Sequence, residues 1–147
     1  MAYKGKYIPK HPEKYQGDPS HIVYRSLWER QCMAFFDNRP EVIKWASEEF
    51  SIPYRSPRDN CIHRYFPDFI VAIRKPDGTV TTTVVEVKPA AQTRPPLPTP
   101  TGRQTRRYLS EAIRWGINQA KWAATKELCA KAGWEFALFT EENTPFV

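Results

Sequence analysis

Phe66-Pro67-Asp68-Phe69-Ile70-Val71-Ala72-Ile73-Arg74-Lys75-Pro76-Asp77-Gly78-Thr79-Val80-Thr81-Thr82-Thr83-Val84-Val85-Glu86-Val87-Lys88 is the stretch that decides the fold. Residues 66–74 and 79–88 are rich in β-branched and aromatic side chains and read as two strands. Between them, Pro76 is preset for the first turn corner and Gly78 is free to take a positive φ, the signature of a three-residue hairpin loop closed by a Gly bulge. With Pro76, Asp77 and Gly78 as the loop, Lys75 pairs with Thr79, and counting back along both strands sets Asp68 opposite Glu86. Directly opposed side chains have Cβ atoms about 4.5–5.5 Å apart. Two carboxylates that close repel unless a cation sits between them. Lys88 lies two residues beyond Glu86 and points to the same face. The hairpin is otherwise apolar, with Phe69, Val71, Val85 and Val87 on one face and Ile70 and Val84 on the other. That places it in the middle of a sheet covered on both sides.

Upstream, Ser26-Leu27-Trp28-Glu29 opens a helix running to about Asp37 and stopping before Asn38-Arg39-Pro40. Residues 41–54 read as extended, with Val42, Ile43, Trp45, Phe50, Ile52 and Tyr54 as core candidates, and Pro57-Arg58-Asp59-Asn60 is a turn leading into the hairpin. Residues 1–24 carry Lys4, Lys6, Lys10 and Lys14 among tyrosines, prolines and glycines, with no amphipathic period. They read as an extended basic arm, either a solvated tail partly pinned by its tyrosines and Ile8, or an arm laid on nucleic acid or a partner protein.

Downstream, residues 90–105 hold Pro95, Pro96, Pro98 and Pro100 with Arg94 and Arg103, a long Pro-rich basic loop of the kind that usually has a function. A helix is predicted from Arg106 to Ala132, with Leu109, Ile113, Ile117, Ala120, Ala124 and Leu128 on one stripe and Gly133 as its stop. Residues 134–140 read as a last strand. A strand–helix–strand passage from Lys88 to Trp134 requires a parallel crossover, so the sheet is mixed and the chain is a single α/β domain with helices on both faces.

Composition bounds the function. Twenty-two Lys+Arg against 16 Asp+Glu give a net charge of +6, which favours a polyanionic partner. No apolar run approaches the roughly 20 residues of a membrane span, and the opening lacks a signal peptide's apolar stretch. Cys32, Cys61 and Cys129 are an odd, widely spaced set, which argues against a disulfide framework and fits a reducing compartment. Cys61-Ile62-His63 has no second pair at zinc-like spacing.

Opposed carboxylates with an ammonium beside them suit a hard divalent cation, Mg²⁺ with Mn²⁺ as substitute, which takes one or two carboxylates and completes its shell with water and phosphate. Asp68 and Glu86 are the candidate ligands, and the backbone carbonyl of Val87 can add a further oxygen. Lys88 can orient or deprotonate an attacking water, or neutralise developing charge. Glu29 occupies the third helical position of a capping box, which explains it without chemistry. Arg94, Arg103, Arg106 and Arg107 are candidate phosphate contacts. Trp115, Trp122 and Trp134 read most simply as core, although an exposed aromatic can stack on an unpaired base.

Pro67-Asp68 followed by Glu86-Val87-Lys88 on a hairpin resembles the motif of restriction-endonuclease-like nucleases, Pro-Asp, a spacer, then Asp/Glu-X-Lys. Glu29 matches the upstream helical Glu of that family, and Gln119 and Lys121 match its Gln/Lys position on the following helix. More of the chain is similar to the head completion nucleases of T-even-type tailed phages. The likeness lies in residues 1–10, 12–19 and 22–30, in His63-Arg64-Tyr65-Phe66 and in Asn118-Gln119-Ala120-Lys121-Trp122. These resemblances imply a restriction-endonuclease-like sheet and metal-dependent hydrolysis of double-stranded DNA. They also imply a place in the host cytoplasm and the phage head, with portal or neck proteins as partners. The alternatives they leave are a junction resolvase, a transposase-type cleavage subunit, or a DNA-end-binding capsid plug without chemistry.

Overall fold

A computed structural model describes residues 4–144. The central sheet has four strands in the order β3-β6-β7-β8, formed by Val42–Ser47, Phe69–Arg74, Val80–Val87 and Glu135–Phe139. β6 and β7 pair antiparallel with Phe69 opposite Val85 and Arg74 opposite Val80, so the register continues to Asp68 opposite Glu86, as the loop predicts. The loop closes through Lys75 N–H to the Thr79 carbonyl at 2.7 Å, with Gly78 at φ +88°. β8 joins β7 in parallel, with Glu86 beside Leu138. The sheet is mixed and the domain is α/β.

One face is closed by α1, Leu27–Asn38, whose Cys32, Met33 and Phe36 are buried against Trp45, Phe69, Val71 and Val85. Ser26 caps α1 by accepting the Glu29 N–H at 3.1 Å. The other face carries α2, Arg106–Ala132, which ends on Gly133 at φ +73° as its sequence requires. Trp122 of α2 packs there with Ile52, Tyr54 and Tyr65, against Phe136 and Leu138 of β8.

Three regions differ from expectation. The arm is not a tail. Among its described residues, β1 (Gly5–Lys6) pairs with β2 (Val23–Tyr24), Ile22 and Tyr15 are buried, and Tyr15 bridges to Trp45 of β3. Its anchor is Asp37, fully buried, which accepts from the Tyr7 hydroxyl and from the N–H groups of Lys10 and His11. The Lys14 ammonium, read as free charge, donates instead to the Asp37 and Arg39 carbonyls. Met1, Ala2 and Tyr3 lie outside the described residues.

Second, the turn at residues 57–60 joins two strands of a separate ribbon, β4 (Ile52–Arg55) and β5 (Ile62–Tyr65). Third, the apolar stripe of α2 outruns the sheet it covers. Ile117, Ala120, Ala124 and Leu128 pack inward, whereas Leu109 is 44% and Ile113 51% exposed.

Candidate active site

The two carboxylates meet on the α2 face of the sheet, at the open end of the β6–β7 hairpin. Glu86 is buried on β7, and Asp68, just before β6, accepts the Val87 N–H at 2.8 Å. Burial, and then the facing charge of Glu86, push the Asp68 carboxyl up to about 9. Arg64, a conceivable structural counterion to Asp68, is exposed and makes no bond to it.

Cations approach from two elements. Lys88 continues β7, its N–H donating to the Phe139 carbonyl of β8 at 3.0 Å. N–H and C=O of one trans peptide point in opposite directions, so the Val87 carbonyl of that peptide faces the other way, toward Asp68. Lys121 of α2 lies over the rings of Tyr65 and Tyr54 at 5.5 and 5.8 Å. Burial depresses its ammonium, the charge of Glu86 holds it up, and Lys88 lies close enough to lower it further. Gln119, two residues away and so on the opposite flank of the helix, is exposed; the structure does not bring it into the site. Asn118, one turn before Lys121, faces inward and is 4% exposed.

Glu29 keeps both of its readings. Its carboxylate reaches back to the Arg25 N–H at 3.4 Å and the Ser26 hydroxyl at 3.5 Å, long contacts that do not lock it. Burial, then the nearby charge of Glu48, raise its pKa, and its own charge is felt at Asp68. Arg25 and Glu48, missed in the sequence, form an ion pair beside it. Glu48 takes φ +53° at the end of β3, a conformation uncommon outside glycine, and donates its N–H to the Asp68 carbonyl. Nothing in the local sequence marks that conformation.

Among the described residues no three acidic, histidine or cysteine side chains come together as a complete cation cage. The donor set is instead two carboxylates and a carbonyl, few enough to suit Mg²⁺, which finishes its shell with water and phosphate. The buried Tyr65 hydroxyl lies beside Glu86 and the Trp122 indole, which makes the wall next to the carboxylates polar.

The four basic candidates of the loop split. Arg94 is paired with Glu142 at 2.9 Å and Arg107 with Glu111 at 3.0 Å, both at the surface. Arg103 and Arg106 are exposed and form no ion pair among the described residues. Arg106-Arg107 begin α2, whose first turn has no acidic residue, so positive charge is stacked on the positive end of the helix dipole. The head of the loop is held by the segment after β8, where Glu141 accepts the Ala90 N–H at 3.0 Å. His63, exposed, pairs with Asp59 at 2.8 Å.

Residues 39–141 match the family model of the TnsA-like endonuclease N-terminal domain. The chain is 38% identical over 145 residues to the head completion nuclease of Enterobacteria phage T4, covering 97% of this chain and 94% of that protein. The mixed sheet, the central hairpin and the two covering helices are those of a restriction-endonuclease-like fold.

Proposed function

The chain belongs to the TnsA-like endonuclease N-terminal family, and from that premise we propose that it hydrolyses phosphodiester bonds of double-stranded DNA with Mg²⁺ as cofactor. Mn²⁺ would substitute. The observation that carries this reading is the Asp68–Glu86 pair, two buried carboxylates opposed across one hairpin, where burial and the facing charge of Glu86 hold the Asp68 carboxyl up. Asp68, Glu86 and the Val87 carbonyl would hold the metal. When bound, Mg²⁺ supplies Lewis-acid charge to the phosphate and acidifies water. Lys88 then orients the attacking water and offsets charge as the phosphorus becomes five-coordinate. Lys121, fixed over two tyrosine rings, adds a second ammonium whose depressed pKa lets it give or take a proton more readily than a solvated lysine. Glu29 would accept hydrogen bonds from water of the metal's shell.

The duplex lies across the start of α2, where Arg103, Arg106 and Arg107 meet phosphates and the helix dipole has the matching sign. The relative's name, head completion nuclease, carries the biological setting: DNA in the phage head, with portal or neck proteins at hand. A plug that only binds DNA ends would have no use for a buried, mutually repelling carboxylate pair.

The test is incubation with linear, nicked and supercoiled DNA in Mg²⁺, in Mn²⁺ and in EDTA. Cleavage that needs the metal is expected, and the distribution of products separates end-directed from internal cutting. Binding without cleavage under every metal condition would leave the plug reading.

A further inference from the structure

A cavity of about 320 Å³ lies between the Pro-rich loop and the first half of α2, and Gln92, Arg94, Arg107, Arg114, Trp115 and Asn118 form its wall. Asn118 is the unusual member. It is 4% exposed, and among the described residues its amide has no hydrogen-bond partner, although the group offers two donors and an acceptor. What remains exposed of Asn118 opens onto this cavity, where its unspent donors and acceptor can bond a ligand. Half-buried Trp115 lines the same space, and the exposed Arg114 guanidinium makes no ion pair among the described residues. Glu111, the single acid on the wall, is already held by Arg107.

We propose that this cavity receives one unpaired nucleotide of the DNA strand being cut, its base stacked on Trp115, its edge bonded by Asn118 and its phosphate met by Arg114. The inference rests on the DNA substrate proposed above. Position supports it. Asn118 stands one helical turn from Lys121, about 4.5 Å along the axis, and Ala91 and Gln92 on the cavity wall follow Lys88 by three and four residues. A strand whose phosphate lies at the carboxylates therefore has a neighbouring nucleotide within reach. The chemistry is selective in the same sense. A paired base hides its Watson–Crick edge and both π-faces, while an unpaired one offers an edge to an amide and a face to an indole. The space takes a single base, not a helix. The substrate is then DNA with an unpaired base next to the cut, as at an overhang or frayed end.

Binding can be read without cleavage, using the full chain carrying Asp68→Asn in EDTA. Fluorescence anisotropy would compare a blunt duplex with duplexes of equal length bearing a short 5′ or 3′ overhang. One overhang is expected to bind tighter by about 5- to 100-fold, as one stacked base implies. Trp115→Ala and Asn118→Ala should bring that ratio toward one, and Trp115→Phe should keep most of it. A 2-aminopurine at the first unpaired position should be quenched by the parent chain, which decides the matter if a variant fails to fold. Equal binding of blunt and overhanging duplexes, or a preference surviving both alanine substitutions, would overturn the proposal. Displacement of the overhang by micromolar dAMP would also overturn it, by assigning the cavity to a free nucleotide. Failure of the Mg²⁺ cleavage assay would instead count against the proposed reaction and leave the binding ratio as measured.

Discussion

Asp37 and Asp68 stand on opposite faces of one sheet and are treated in opposite ways. Asp37 is enclosed by the arm and receives three donors, at 2.7, 2.8 and 3.0 Å. Asp68 receives one N–H and is turned toward another carboxylate. The first is a finished structural joint in which the charge is solvated by protein. The second has one donor and faces a like charge, the arrangement that the proposed cation would relieve.

The comparison breaks most sharply by neutralising each acid in turn. Asp68→Asn or Glu86→Gln should lower turnover about 10³-fold or more, as loss of roughly 4 kcal/mol of transition-state stabilisation implies, while the metal-free melting temperature stays level or rises. Full activity in either variant would remove the pair from the reaction. The next effect is a pH slope. The Asp68 pKa is raised from 3.8 to about 9, so the metal-free folded state keeps a proton that the unfolded chain releases. Stability in EDTA should therefore be greatest near pH 4 and decline as pH rises toward 9, with Glu29 contributing in the same direction. Melting curves from pH 5 to 9 read it directly, and Asp68→Asn should flatten them; parallel curves would contradict the account.

Asp37→Ala should do the reverse of Asp68→Asn. Three donors lose a charged acceptor at a buried site, for a cost of about 3 kcal/mol and a fall in melting temperature of roughly 6–12 °C. Turnover measured below that transition should hold.

Glu29→Gln sharpens the middle ground. Gln serves in a capping box, so stability should barely move, while turnover should drop about 10-fold if the carboxylate reaches the metal's water shell. Unchanged turnover, with Glu29→Ala merely less stable, would leave the residue as a cap. The smallest effect belongs to the surface. Arg103→Gln with Arg106→Gln should flatten the log–log salt dependence of DNA binding by up to about 0.9 per lost contact.

What the sequence made legible was local. A five-residue turn fixed the register that opposes Asp68 and Glu86, and a capping box and a Gly stop bounded the helices. What it hid was long-range or unpatterned. The arm is held by backbone N–H groups donating to a carboxylate about 27 residues away, and no periodicity records such bonds. The β4–β5 ribbon escaped because Ile62, His63 and Arg64 are all exposed, so the alternation that announces a strand is missing. The α2 stripe misled because apolar period marks a helical face but not how far the opposing sheet extends under it. At the site, the two residues of the Gln/Lys resemblance part company. Helix geometry puts Lys121 and Asn118 on the inward side and sends Gln119 outward.

The Tyr15–Trp45 bridge has a consequence for solubility. β3 is the last strand on its side of the sheet, and an unpaired strand border is a template on which another chain can add. Here the Gln16 N–H donates to the Trp45 carbonyl at 2.8 Å, and the Tyr15 hydroxyl takes the Ser47 N–H at 3.2 Å. The N-terminal segment occupies that border with its own backbone and a phenol. It works as a hem on the sheet, keeping this strand border from joining a neighbour.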